Sequence, residues 1–465
     1  MKKVLLFLIT LLLLLPSFAS AAPSSSARDA LLVSGDADYL DDWTLLALAR
    51  SGGGEGFSEL AAEYAEALAF RLCRGGGALA IESETEYARV SLTLTALGYS
   101  ADSFGGYNLL KPLSDVAHLA SRSLNGLIFS LLALDAGSYA VENGVREALV
   151  SELLARRGEV GGWSVFGADA SPDPDMTAMA LLALAPYRAL PEVASAIDGG
   201  LAVLRALQLE SGGFISLGVE ASESAAQVIL ALSALGEDPA SFAAGGVSVL
   251  DALLSYETDG GFAHTVGGER NRLATVQACL ALESCRRVSS GEPTVYEMTD
   301  VAAASPSAFT DADAARALAL PLSETVAAED ALAELLGRLL LAPNRGEHPG
   351  AEAHLASALA ALDRALARLD RLSAACRALP REITAKDREA IRALRREIDA
   401  LPSADRAALA EVIYLDEAEA ALAVIDRTRT LTVIFGALAV CGASLLILRV
   451  VLRRRAAAAE REDEE

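Results

Sequence analysis

Three copies of one short pattern constrain the fold more than any other feature of the chain. Gly161-Gly162-Trp163, Gly212-Gly213-Phe214 and Gly260-Gly261-Phe262 recur at spacings of 51 and 48 residues. A period of this size marks an array of supersecondary units that bury their apolar faces on one another. An Ala/Leu-rich stretch follows each triplet: Thr177-Ala178-Met179-Ala180-Leu181, Ser224-Ala225-Ala226-Gln227-Val228 and Ala274-Thr275-Val276-Gln277-Ala278. Gln227 and Gln277 fall in register. Upstream, weaker copies begin near Asp42-Trp43, Glu86-Tyr87 and Asn125-Gly126. Helix starts near 42, 86, 125, 175, 224 and 274 therefore give six units. Second helices lie between them, over 57–72, 145–156, 191–207 and 248–256.

Adjacent glycines permit positive φ and a sharp reversal after an outer helix. The aromatic that follows is expected to pack beneath the next helix and fix its entry angle. Inner helices of Ala, Leu and Met are apolar nearly all round, as helices buried between an outer layer and a shared centre must be. The outer ones are amphipathic, with Arg146, Glu147 and Arg156 on one of them. Six such pairs that close on themselves make an α/α toroid, with an open solenoid as the alternative. Composition points the same way: 52% of residues are hydrophobic but only 5% aromatic, a balance of Ala/Leu helices rather than of a β-sandwich. The expected fold is all-α: a toroid of six helix pairs over 27–300, a linker over 301–308, a helical stalk over 309–425 and one transmembrane helix over 430–452.

The ends suggest a compartment. Lys2 and Lys3, an apolar run over 4–15, Pro16 and Ala19-Ser20-Ala21 have the form of a signal peptide over 1–21. The apolar segment over 430–448 is about 28 Å long as a helix, enough for a bilayer core. Arg449, Arg453, Arg454 and Arg455 come after it and place the 453–465 tail in the cytoplasm by the positive-inside rule. Arg427 and Arg429 weaken that bias. No LPxTG-like sorting signal precedes the span. The expectation is a single-pass membrane protein with its N-terminal domain extracytoplasmic. Lys+Arg of 39 against Asp+Glu of 63 gives a net charge of −24, which argues against a nucleic-acid partner.

With these residues in view, the chain resembles a known family. Gln208-x-x-x-Gly212-x-Phe214 looks like the glutamine–tryptophan repeat of squalene and other terpenoid cyclases, with Phe for Trp. More broadly, 41–300 resembles the prenyltransferase/squalene-cyclase-like toroid of Gram-positive surface proteins. The stretches that carry this include Asp42-Trp43, Thr85-Glu86-Tyr87-Ala88-Arg89-Val90, Gly105-Gly106-Tyr107, Asn125-Gly126, Asp173-Pro174-Asp175-Met176-Thr177-Ala178 and Tyr296-Glu297-Met298-Thr299-Asp300-Val301. That fold hosts cyclases, prenyltransferases, carriers and thioester domains, so the resemblance implies architecture more than activity.

The resemblance makes Asp173-Pro174-Asp175-Met176 a relative of the DxDD motif of class II terpenoid cyclases. Asp175 would then be the general acid and Asp173 its companion, acting on an isoprenoid substrate. Such an acid must stay protonated, which desolvation and a neighbouring carboxylate achieve. Met176 replaces the fourth Asp, and the domain is poor in the aromatic faces that stabilise carbocations; both lean against catalysis. The plainer reading makes Asp173 or Asp175 a helix N-cap with Pro in the first turn. A zinc site is not expected, because the prenyltransferase pattern needs an Asp-x-Cys that is absent, and Cys279 and Cys285 lie on different faces of one helix. Neither a Cys-Gly-Glu-Gln thioester nor a Gly-x-Ser-x-Gly elbow occurs, and no cofactor is expected. What remains is the centre of the ring, where inner-helix N–H groups could orient an anionic or polar ligand. Glu86, Tyr87, Asn125, Gln227 and Gln277 are the expected ligand-binding residues, with capping as the alternative for each. Expected partners are a hydrophobic or isoprenoid ligand and the membrane itself.

In the stalk, Leu355, Leu359, Leu362, Leu366 and Leu369 have the spacing of a bundle or coiled-coil seam, which also offers a surface for self-association. The run Leu379-Pro380-Arg381-Glu382-Ile383-Thr384, continued by Asp387, Ala393-Leu394, Ala400-Leu401 and Leu409, resembles the three-helix spacer modules of Gram-positive surface proteins. The expected role is a ligand-binding or surface-interaction module held at the membrane, with the cyclase-like enzyme as the alternative.

Overall fold

The computed structural model describes Arg28, Leu31 and residues 41–79 and 83–462, with side chains as far as Arg453. The signal segment expected over 1–21 lies outside the described residues. The chain is predominantly helical, with seventeen α-helices among the described residues and three hairpins of two-residue strands. It divides into two compact units. The first runs to Thr310 and includes Leu336–Glu347; the second comprises Asp311–Leu335 and the chain from His348 onward.

Eleven helices build the first unit up to residue 310: α1 (Asp42–Arg50), α2 (Phe57–Arg74), α3 (Glu84–Ala96), α4 (Val116–Ala120), α5 (Leu124–Ala136), α6 (Val145–Ala155), α7 (Pro174–Leu184), α8 (Pro191–Leu207), α9 (Ser222–Leu235), α10 (Val249–Leu254) and α11 (Arg272–Ser289). The odd-numbered helices are the six expected from the repeat and are called the inner helices below. Each packs on the next, α1 on α3 through to α9 on α11, and α11 packs back on α1. Behind them α6 packs on α5, α8 on α7 and α10 on α9. Five inner helices start on a side-chain cap: Asp41, Ser83, Ser123, Asp173 and Asn271 each accept from the backbone N–H three residues on. Ala221, before α9, has no cap to offer. There the Ser222 N–H donates instead to His264 O, 3.1 Å away.

Trp163, Phe214 and Phe262, the aromatics of the three triplets, are all fully buried. The two glycines before them have separate roles. The first has φ of +104°, +80° and +79° at Gly161, Gly212 and Gly260, which a Cβ would strain. The second provides space. A Cβ on Gly162 would lie 2.6 Å from Pro172, on Gly213 2.5 Å from Glu220, and on Gly261 2.6 Å from Thr275. Thr177 and Thr275, on the following inner helices, each accept the aromatic's own N–H at 3.0 Å.

Two buried arginines, Arg50 and Arg287, tie the end of α1 to the segment after α11. Arg50, at the end of α1, donates to Val295 O, Thr294 O and Glu297 O at 3.0, 3.0 and 3.2 Å and pairs with Asp300. Arg287 of α11 holds the other oxygen of Asp300 and Pro293 O. The 301–308 stretch, expected to be a linker, instead packs onto this unit: Ala304 N–H donates to Gly98 O at 2.8 Å. A Cβ on Gly98 would meet Ala302 O at 2.3 Å. Residues 336–347, expected in the stalk, also belong here. Arg338 pairs with Glu66 at 3.3 Å, and Asn344 both donates to and accepts from the Phe309 backbone.

The second unit holds α12 (Asp311–Leu318), the start of α13 (Glu329–Leu341), α14 (Pro349–Arg377), α15 (Arg388–Asp399), α16 (Ser403–Ala407) and α17 (Val412–Glu462). Helices α14, α15 and α17 pack pairwise around Leu369, Leu372, Cys376, Ile391, Ile398, Leu415 and Leu422. The buried stripe of α14 runs through Leu355, Ala358, Leu362, Ala365 and Leu369. Of the expected seam, Leu359 and Leu366 are only half-buried. Alanines allow the close approach, so the seam is narrower than its leucines imply. Helix α17 is 51 residues long. Its first turns close the bundle, and its segment within Val412–Arg453 is long and apolar enough to cross a membrane.

Candidate functional site

A polar group built from the first turns of the inner helices connects residues far apart in sequence. On α1, Asp42 accepts from Arg89 Nε of α3 at 2.8 Å, and Arg89 also pairs with Glu86. The Tyr64 hydroxyl donates to the other oxygen of Asp42, and burial beside that carboxylate pushes the phenol well above its ordinary range. Glu84 lies against Gly126 of α5, where a Cβ would come within 2.7 Å of it. Gln227 of α9 donates to Gln277 of α11 at 3.3 Å. Arg272 of α11 reaches Thr44 at 3.2 Å and Asp41 at 3.5 Å. Between the helices, Trp43 and Phe129 meet with ring centroids 5.4 Å apart. Both are half-buried, as is Met179.

Asp173 and Asp175 take different parts. Asp173 is the N-cap of α7, accepting from Met176 N–H at 3.0 Å and from the Ser216 hydroxyl at 2.7 Å. Asp175 sits one residue into the helix. Burial pushes its carboxyl up to about 6; the Ser224 hydroxyl opposes that rise, and the Asp173 carboxylate adds to it. Its Oδ1 is buried with no hydrogen-bond partner, and so is Oδ1 of Asn125. Met176, in the place of the motif's fourth carboxylate, is buried in the core.

Of the residues expected to bind a ligand, Glu86, Asn125, Gln227 and Gln277 all lie in this group. Tyr87 does not: it is enclosed in the core, and its hydroxyl accepts from Leu79 N–H at 3.3 Å. At five of the six helix starts a side-chain cap takes one of the N–H groups expected to orient an anionic or polar ligand. Asp42, Glu84, Arg89, Glu223 and Arg272 join the site without being expected there. Each falls within the first two turns of an inner helix, and that register is the signal that could have found them.

The loops that precede α7, α9 and α11 carry apolar side chains outward. Phe166 is 76% exposed and Leu217 79%, with Val165, Ile215 and Val266 also exposed. Leu217 adopts φ of +49° at the tip of its hairpin, a conformation that costs about 1 kcal/mol for a residue with a Cβ. Ser216 ties this hairpin to Asp173, and His264 ties the next loop to Glu223 at 2.9 Å. The apolar brim is thus attached directly to the polar group.

Among the described residues no cluster of three or more His, Cys, Asp or Glu could hold a metal ion. Cys279 and Cys285 are buried, which pushes their thiols up to about 12 and about 11 and keeps them un-ionised near neutral pH. No protein-family model matches the chain, and no curated protein matches it.

Proposed function

We propose that the first unit is an α/α toroid that binds an amphiphilic ligand at the N-terminal end of its inner helices. The C-terminal span holds this unit at a membrane, on the extracytoplasmic side. The return of α11 onto α1, clasped by Arg50, supports closure over an open solenoid. The arginines after the span support the orientation. One observation carries the binding reading: Asn125 Oδ1 and Asp175 Oδ1 are buried acceptors without partners, in a group where Asp42, Glu86, Arg89, Gln227 and Gln277 are all paired. Leaving such an atom unsatisfied costs about 1–3 kcal/mol, and a donor from a ligand removes that cost. The ligand therefore carries hydroxyl or other hydrogen-bond donors. The exposed brim of Phe166, Leu217 and Val266 suits an apolar body, as in an isoprenoid or other lipid alcohol.

A native mass spectrum of the chain purified from its own host in detergent tests this. A stoichiometric lipid adduct is expected, weakened in Asn125→Leu. A bare mass that stays bare after incubation with polyprenyl alcohols would sink the binding reading.

The burial of Asp175 and its unpartnered oxygen favour a second reading, a cyclase-like enzyme with Asp175 as general acid. Asp173, committed to Met176 N–H and Ser216, would then only position the helix start. Turnover of squalene or a polyprenyl substrate, lost in Asp175→Asn, is the expected result. No product from the unaltered chain would end that reading.

A further inference from the structure

A second site lies at the other ends of the inner helices, away from the group described above. A cavity of about 490 Å³ opens where α5, α7 and α9 finish and the 294–299 segment crosses them. That volume lies within the range of small-molecule sites. Leu132, Leu182, Pro186 and Ala234 give it an apolar floor.

Its polar wall is already organised. Asp135 accepts from Arg146 Nε at 2.6 Å and from the Tyr187 hydroxyl at 2.8 Å. Arg146 Nη2 also donates to Leu134 O at 2.6 Å and Tyr139 O at 2.9 Å, closing the end of α5. Three acceptors surround this guanidinium, so it is poorly placed to receive an anion. Tyr187 directs its O–H to Asp135 and offers the cavity lone pairs. The Tyr139 hydroxyl is engaged by Thr95 and Ala101 N–H. Glu297, exposed, is the one lining carboxylate with no side-chain partner among the described residues, and the hydroxyls of Tyr296, Ser138, Thr294 and Thr299 are also uncommitted.

The electrostatic balance rests on this inventory. Two carboxylates, Asp135 and Glu297, face one neutralised guanidinium. Of the three helix C-termini, those of α5 and α9 already have guanidinium donors, Arg146 on Leu134 O and Arg188 on Leu235 O, and the end of α7 adds carbonyls equivalent to about half a negative charge. Tyr187 and Tyr296 bring rings that a cation can lie against. We propose that this cavity binds a small organic cation, an ammonium on a compact apolar body, with Glu297 as its counter-charge. The site stands independently of the ligand proposed for the N-terminal end.

Calorimetry on the full chain in neutral detergent micelles tests the proposal with 2-phenylethylammonium, 2-phenylethanol and 3-phenylpropionate. The ammonium should bind one-to-one, at least about tenfold more tightly than the alcohol, and the carboxylate should not bind. Ala234→Phe, which fills the floor, should abolish binding. Glu297→Gln, an exposed change that leaves packing alone, should weaken it about fivefold at low salt and less at high salt. Should Ala234→Phe fail to fold, Glu297→Gln decides the matter. The proposal is overturned by absence of saturable ammonium binding up to about 10 mM, by alcohol or carboxylate binding as tightly, or by unchanged affinity in Glu297→Gln.

Discussion

Replacing Asp175 by Asn should change how the first unit's stability depends on pH. The folded carboxyl titrates at about 6 against an ordinary 3.8, chiefly because burial disfavours the charged form. A carboxyl whose pKa rises on folding holds its proton more tightly in the folded chain. Its contribution to stability is therefore greatest below pH 3.8, falls as pH climbs from there to about 6, and is level above. A rise of about two units corresponds to about 3 kcal/mol; local relaxation and water entry reduce the expected fall to about 2 kcal/mol. Asparagine has nearly the same shape and no charge to desolvate. Between pH 4 and pH 7 the Asp175→Asn chain should thus gain about 2 kcal/mol on the unaltered one. Denaturant unfolding monitored by tryptophan fluorescence suits the question, because both tryptophans, Trp43 and Trp163, lie in the first unit. A donor ligand at this site should flatten the slope by pairing the carboxylate. Parallel pH profiles for the two chains would refute the desolvation argument, and an opposite slope would mean that Asp175 is paired in the fold.

Four further substitutions test the architecture. Gly212→Ala places a Cβ 2.5 Å from Ser248 O at φ of +80° and should cost about 3 kcal/mol, whereas Gly218→Ala, with φ of +87° and open space around it, should cost about 1 kcal/mol; fluorescence-detected unfolding separates them. Arg50→Ala takes the donor from three carbonyls, that of Val295 fully buried, and one partner from Asp300, and should lower the same transition by about 3–5 kcal/mol. In the second unit, fully buried Asp405 accepts from the Thr325 hydroxyl at 2.7 Å, Val326 N–H at 2.9 Å and Arg368 at 2.9 Å. Asp405→Ala should cost about 3 kcal/mol, seen as a lower melting step by far-UV circular dichroism with the tryptophan transition unmoved.

The six inner helices were legible because their signal is local. An apolar stretch, a cap residue before it and a Gly-Gly-aromatic turn upstream all lie within one repeat. The candidate membrane span in α17 was legible for the same reason, since length and composition define it. Partnerships across the unit were not. Arg50 and Asp300 are 250 residues apart, and nothing in either neighbourhood marks them as a clasp. Residues 336–347 carry the same Ala/Leu/Arg pattern as the stalk, so only the fit of Gly337 against Glu66 and of Asn344 against Phe309 reveals where they belong. The candidate site was half legible. Register alone brought Glu86, Asn125, Gln227 and Gln277 to one end, but register cannot distinguish a side chain in that group from one turned into the core, as Tyr87 is.

The acidity of the chain bears on which ligand this end can accept. Asp42, Glu86, Asp175 and Glu223 all sit in the first turns of inner helices, where the positive end of the helix macrodipole stabilises a carboxylate. With Asp41 and Asp173 as caps, those turns hold more negative side chains than Arg89 and Arg272 can neutralise. An anion brought to this end would meet carboxylates before it met any free N–H. The two unpartnered oxygens there are acceptors as well. In the binding reading proposed above, charge, caps and orphaned atoms therefore weigh against the anionic ligand that bare helix ends would suggest and favour one that arrives with hydrogen-bond donors.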